Sequence, residues 1–164
     1  MNKMQWLMQS KIGPLYLVAS EVALQGVFWI EQAVPLAKGL EGPSPQAKIL
    51  ARAVRQLNEY LDGKRREFDL PLNATGTDFQ KQVWKELSRI PYGKTRSYRD
   101  IAQKIENDKA VRAVGTANGR NPLSIIVPCH RVIAADGTLG GYAGGLEIKI
   151  QLLELEARSL IRVV

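Results

Sequence analysis

A chain of 164 residues, 45% of them apolar, has room for one ordinary domain or two small ones and enough apolar mass for a packed core. It contains no run of about 18 apolar residues, which argues against a membrane-spanning helix. Its single cysteine cannot form an internal disulfide, and one Cys with one His cannot complete a four-ligand zinc site, so no metal is expected.

The net charge of +7 is uneven: residues 1–75 hold nine basic and seven acidic groups, residues 76–164 fourteen and nine. A basic C-terminal half points to a polyanion partner, nucleic acid first, although solubility alone would also account for it. Gln5 and Gln9 interrupt the N-terminal stretch, so no secretory h-region is evident and a cytoplasmic location is expected.

In chain order, Met4–Met8, Leu15–Ala19 and Val27–Ile30 read as short strands, with Gly13-Pro14 as the turn between the first two. Gly39 to Pro45 is a loop. Ile49, Leu50, Ala53, Val54, Leu57 and Leu61 recur at helical spacing over Gln46–Leu61, and Gly63 ends that helix. One more strand is expected within 64–77, and Gly76 marks a linker. These elements define a small α/β domain over residues 1–75.

The second half, residues 76–164, reads as helical. Thr77 and Gln80 fit a capping box before the stripe Phe79, Val83, Trp84, Leu87 and Ile90, which Pro91-Tyr92-Gly93 stops. Ser97 and Asp100 mark a second start, followed by Ile101, Ala102 and Ile105. Asn107 or Asp108 opens a third helix with Val111, Val114 and Ala117, closed by Gly119. Two short helices joined by a tight turn in a basic region resemble a helix-turn-helix with the third helix as the reading element. Ile125–Val127 is a buried-strand candidate, Gly137–Gly145 a glycine-rich loop, and Leu146 to about Arg158 a last helix with Ile150, Leu152 and Leu153 inward.

A lone cytosolic cysteine is most often a buried, inert thiol. Three neighbours of Cys129 shift that balance. Pro128 suits the first position of a helical turn, which would set Cys129 near helix N-terminal amides that favour a thiolate. His130 and Arg131 make the surroundings cationic. Adjacent residues on a helix point apart, so a water would have to relay a proton between Cys129 and His130. Glu154 and Glu156 are the carboxylates that could orient the imidazole. Physics alone stops at a cysteine nucleophile beside a DNA-binding motif, and a cysteine hydrolase fits the same residues.

Ile126-Val127-Pro128-Cys129-His130-Arg131-Val132 resembles the active-site signature of the O6-alkylguanine-DNA alkyltransferases. The resemblance extends in register through Phe79-Gln80, Val83-Trp84, Ile90-Pro91-Tyr92-Gly93, Ser97-Tyr98, Arg112-Ala113-Val114-Gly115, Asn121-Pro122, Gly141-Tyr142-Ala143-Gly144-Gly145, Leu152-Leu153 and Glu156. It implies an RNase H-like α/β N-terminal domain and a helical C-terminal domain with a winged helix-turn-helix. It further implies irreversible transfer of one alkyl group from O6-alkylguanine in double-stranded DNA to Cys129, with O4-alkylthymine as a candidate second substrate. No cofactor is implied, and the protein is expected to act as a monomer.

By the same resemblance, His130 deprotonates Cys129 through water, Glu156 rather than Glu154 holds His130, and Asn121 braces the turn. Tyr98 crowds the target phosphate and donates a proton to the leaving guanine. Tyr142, the backbone of Val132, and Ala143 line the base pocket. Arg112 takes the flipped base's place, while Arg99 and Asn107 contact DNA. Two departures stand out: Glu106-Asn107-Asp108 replaces the family's frequent Gly-Asn-Pro, and Ala143 replaces a frequent serine. The competing readings are a damage sensor that flips the lesion without repairing it, which would not need Cys129, and a thiol hydrolase, which would not need Arg112.

Overall fold

The computed structural model describes residues 2–161. The chain divides into two compact units, Met1–Thr75 and Gly76–Val164.

The first unit is an antiparallel meander with one helix. Strands β1 (Met4–Ser10), β2 (Gly13–Ala19) and β3 (Leu24–Phe28) lie in that order, Trp6 opposite Leu17 and Tyr16 opposite Phe28. The turn falls at Lys11-Ile12, one step earlier than the sequence suggests, because Gly13 at φ 105 can open β2 in a conformation other residues avoid. Leu15, Leu17 and Ala19 share one buried face by the strand period of two.

Helix α1 (Pro45–Leu61) starts where Ser44 accepts from the Ala47 N–H and Pro45 supplies a preset φ. Leu50, Ala53, Leu57 and Tyr60 form its buried stripe, and it packs on the sheet. Gly63 ends it at φ 75, its N–H donating to Tyr60 O and that of Lys64 to Glu59 O, a Schellman close. The strand expected within 64–77 does not form. Only a bridge between Leu24 and Leu72 exists, since Pro71 has no N–H to extend a ladder.

The second unit is mainly helical. Helix α2 (Asp78–Leu87) begins with the Thr77–Gln80 capping box and buries Val83, Trp84 and Leu87. Strand β4 (Arg96–Ser97) leads into α3 (Tyr98–Lys104), itself opened by a Ser97–Asp100 capping box. Helix α4 (Val111–Gly119) packs against α2 and α3, completing the helix-turn-helix. Strand β5 (Val132–Ile133) pairs in parallel with β4, and α5 (Leu146–Ile161) closes the unit.

Three expectations in this unit need correction. The third helix does not start at Asn107: Asp108–Ala110 is a 3-10 turn, Asn107 makes no capping bond, and α-helix begins at Val111. Ile125–Val127 is buried but is a turn, with Ile125 at φ 73, a region strongly disfavoured for β-branched residues. On α5 the buried stripe is Lys149, Leu152, Glu156 and Ser159, while Ile150 faces solvent. Among the described residues no helix is long and apolar enough to cross a membrane, and no His, Cys, Asp and Glu cluster could hold a metal ion.

Candidate active site

Cys129 opens a three-residue 3-10 turn, Cys129–Arg131, and is 3% exposed. The turn is set by the strained segment before it. Val127 N–H donates to Leu123 O at 2.9 Å and Ile126 N–H to Ser124 O at 2.8 Å, which folds the chain tightly around Ile125. Asn121, buried, spans this loop: its Nδ2 donates to Val127 O at 2.8 Å and its Oδ1 accepts from Leu123 N at 3.0 Å. An unfavourable φ at Ile125 costs on the order of 1–3 kcal/mol and persists because these bonds over-determine it.

The expected helix N-terminus beneath Cys129 is thus only one turn, too short to supply a useful dipole. Burial dominates instead and pushes the thiol up to about 11, against the lowering effects of the Asn121 side chain and the Lys149 charge. Near neutral pH the resting sulfur is therefore a thiol, and it needs a base.

His130 is fully buried and its Nε2 lies 2.7 Å from Glu156 Oε2. Burial holds the imidazole below its ordinary range, although the Glu156 charge and hydrogen bond oppose this. Burial by itself would raise the Glu156 carboxyl, but hydrogen bonds from His130 and Arg131, with their charges, bring it down to about 2. An ionised carboxylate only accepts, so Nε2 carries the proton and Nδ1 is the basic nitrogen of the neutral ring.

Glu156 accepts more than that one bond. Arg131 donates from Nε to Oε1 at 2.8 Å and from Nη2 to Oε2 at 3.0 Å, and Gly93 N–H donates to Oε1 at 3.0 Å. Arg131 Nη1 donates to Ile90 O at 2.8 Å, and its guanidinium lies 5.5 Å from the Tyr92 ring centre. The Pro91-Tyr92-Gly93 turn therefore anchors the carboxylate as well as stopping a helix. Gly93 has φ 78, and a Cβ there would meet Leu160 Cδ1 at 2.2 Å.

Lys149 is fully buried beside this centre. Its Nζ donates to Val132 O at 2.7 Å, to Gly141 O at 3.2 Å and to Leu139 O, tying the glycine-rich loop to β5. Burial lowers its pKa and the nearby Cys129 raises it. Tyr98 is held above its ordinary value by burial and then by Cys129, so its phenol stays protonated. Its ring packs by Gly115 of α4, and a Cβ on Gly140 would come within 2.6 Å of its oxygen. Tyr142 meets His130 edge-on with ring centres 6.5 Å apart, and burial holds its phenol well above the usual range.

Two sequence models of known families match this chain. The ribonuclease-like domain of 6-O-methylguanine DNA methyltransferase matches residues 5–74, and the DNA binding domain of the same family matches residues 78–158. The chain belongs to the 6-O-methylguanine DNA methyltransferase family.

Among relatives of that family, the methylated-DNA–protein-cysteine methyltransferase of Methanosarcina barkeri is 48% identical over 157 residues, covering 94% of this chain and 97% of the relative. The Mycobacterium tuberculosis protein of the same name is 51% identical over 147 residues, covering 90% and 88%. The solved structure of M. tuberculosis OGT in complex with DNA superposes with a TM-score of 0.85 at 45% identity, covering 95% of this chain and 94% of that one.

Within this 6-O-methylguanine DNA methyltransferase fold, the residues singled out from sequence fall into two groups. Cys129, His130, Glu156, Asn121 and Tyr142 converge through the contacts above, and Tyr98 lies near enough for Cys129 to act on its phenol. Val132 joins them through its backbone, its N–H donating to Cys129 O and its carbonyl accepting from Lys149. Ala143 lies exposed on the loop, while Glu154 is exposed on α5 and takes no part. Arg112 on α4, Arg99 on α3 and Asn107 between them are all solvent-exposed. Glu106, in the place of the frequent family glycine, takes φ 57 at the close of α3, where its N–H donates to Gln103 O and that of Asn107 to Ala102 O.

Sequence reasoning missed Lys149, Gly93 and the double grip of Arg131. For Lys149 a signal existed: it lies seven residues before Glu156, two helical turns, hence on the same face.

Proposed function

We propose that this chain is a methylated-DNA–protein-cysteine methyltransferase that reverses O6-alkylguanine damage in double-stranded DNA by moving the alkyl group to Cys129. The observation that carries the reading is the buried series Cys129, His130, Glu156 beside a helix-turn-helix. The relatives and the DNA-bound neighbour give the substrate class its support.

Base flipping brings the lesion out of the stack at a cost of a few kcal/mol, and Arg112 offsets part of that by filling the gap. The thiol proton passes through water to Nδ1 of His130, and the imidazolium that forms faces the Glu156 carboxylate. The sulfur attacks the alkyl carbon, a C–S bond forms and the C–O6 bond breaks. Tyr98 donates its proton to the departing guanine anion and recovers one through solvent. The net change is thiol plus O6-alkylguanine giving thioether plus guanine.

A thiol resting near 11 has a second consequence. Once deprotonated it is a stronger nucleophile than an acidic thiol would be, because nucleophilicity falls with pKa. Before that, as a buried neutral thiol, it resists adventitious oxidation. The thioether has no hydrolytic exit, so each molecule acts once.

Tyr142, the Val132 backbone and Ala143 form the base-facing side in this reading. Arg99 and Asn107 hold the phosphates, and the contact is read by backbone and shape rather than by sequence. A free thiol fits a reducing cytoplasm, and a single-use nucleophile needs no second subunit.

Incubation with a duplex carrying one O6-methylguanine, followed by peptide mass analysis, tests the reading. One added methyl on the Cys129 peptide is expected. Tight lesion binding with Cys129 unmodified would mean a damage sensor, and repeated turnover on an ester or amide would mean a hydrolase.

A further inference from the structure

Asn118 lies on the buried face of α4, the helix whose exposed face carries Arg112 six residues earlier, about 9 Å along the axis. Its Nδ2 donates to the carbonyl of Cys129 at 3.3 Å, a carbonyl that also accepts from Val132 N–H. Its Oδ1 is buried and has no partner among the described residues. One residue earlier, Ala117 O accepts from Trp84 Nε1 at 2.8 Å, which fixes this end of α4 against α2.

An unpaired buried acceptor is a cost to folding, and an apolar side chain of the same size would avoid it. Fold stability therefore does not explain the amide, whereas its bond to the nucleophile's own carbonyl does. We propose that Asn118 is a positioning residue for alkyl transfer: it ties the DNA-reading helix to the Cys129 peptide and so fixes the direction of the sulfur relative to the base that the helix exposes. The inference rests on the alkyl-transfer reading above. It differs from the role of Asn121, which braces the loop before Cys129 and lies beyond the end of α4.

The test is the transfer rate from an O6-methylguanine duplex as protein concentration is varied, giving a limiting rate and a half-saturating concentration, with thermal unfolding alongside. Asn118→Leu should lower the limiting rate about tenfold, the worth of one hydrogen bond, while half-saturation stays put and the unfolding midpoint is unchanged or higher. Asn118→Asp keeps the shape, removes the donor and adds a negative charge by Cys129. It should also move the rising limb of the rate–pH profile to higher pH, which Asn118→Leu should not.

A wild-type limiting rate in Asn118→Leu overturns the proposal. So does a loss matched by weaker lesion binding and a lower unfolding midpoint, which is a structural role only. If Asn118→Leu does not fold, an unshifted limb in Asn118→Asp overturns it. Failure of the unaltered protein to methylate Cys129 would instead strike the functional reading.

Discussion

Glu156→Gln keeps the shape of the side chain and one accepting oxygen but removes the charge that Arg131 and His130 face. Four donated hydrogen bonds converge on the carboxylate, three from side chains at 2.7, 2.8 and 3.0 Å and one from Gly93 N–H. Arg131 is itself buried, so the variant leaves a buried cation without its counter-charge, at a cost of about 3–5 kcal/mol at neutral pH.

The pH dependence has a definite sign. The folded-state pKa of about 2 lies below the ordinary 4.5, so the carboxylate stabilises the fold above 4.5, and that contribution is lost as pH falls through 2. Between pH 4.5 and about pH 3 the native protein should lose about 2 kcal/mol relative to the variant, from 1.36 kcal/mol per pH unit. Urea unfolding of both proteins across this range measures the gap, and transfer at neutral pH should fall about 100-fold in the variant as the base loses its orienting charge. A gap below about 1 kcal/mol at neutral pH, or one that stays constant down to about pH 3, would refute the reasoning.

Lys149→Met removes a cation that favours the Cys129 thiolate and the donor of three carbonyls. The rising limb of the transfer–pH profile should move up, and urea unfolding should show a loss of about 2–3 kcal/mol. Arg112→Ala should slow repair in duplex DNA far more than reaction with free O6-methylguanine, since the stack needs filling only in the duplex; rate constants on the two substrates measure the difference. Glu106→Gly relieves a left-handed φ of 57 and removes a negative charge between α3 and α4. It should stabilise the fold by about 0.5–1 kcal/mol in thermal unfolding and tighten duplex binding at low salt.

Local chemistry was legible where the residue itself dictates geometry. Both capping boxes and the end of α1 at Gly63 follow from side chains that hydrogen-bond their own backbone or accept a positive φ, and the meander follows from apolar runs between turns, although β3 runs Leu24–Phe28 rather than the expected Val27–Ile30. The failures that bear on function sit at the site. On α5 apolar periodicity pointed Ile150 inward, but apart from Leu152 the buried stripe is polar, because Lys149 and Glu156 have partners waiting in the loop and at His130 and Arg131.

Ile125–Val127 looked like a strand because it is β-branched and apolar, yet hydrogen bonds within residues 121–127, from the Asn121 side chain to Val127 O and from Val127 N–H to Leu123 O, hold a turn that no propensity scale favours. The adjacency of Cys129 and His130 was plain in the sequence. The thiol's raised pKa was not, since burial is a property of the fold and outweighs the cations that the local sequence advertised.

The most direct test of the account is a single-turnover titration. Limiting O6-methylguanine duplex is mixed with increasing protein, and the methyl is followed by mass to its residue. A one-to-one endpoint is expected, with the methyl as a thioether on Cys129 and no further reaction when fresh duplex is added. Methyl release to solvent, transfer to another residue, or more than one lesion repaired per protein molecule would contradict it.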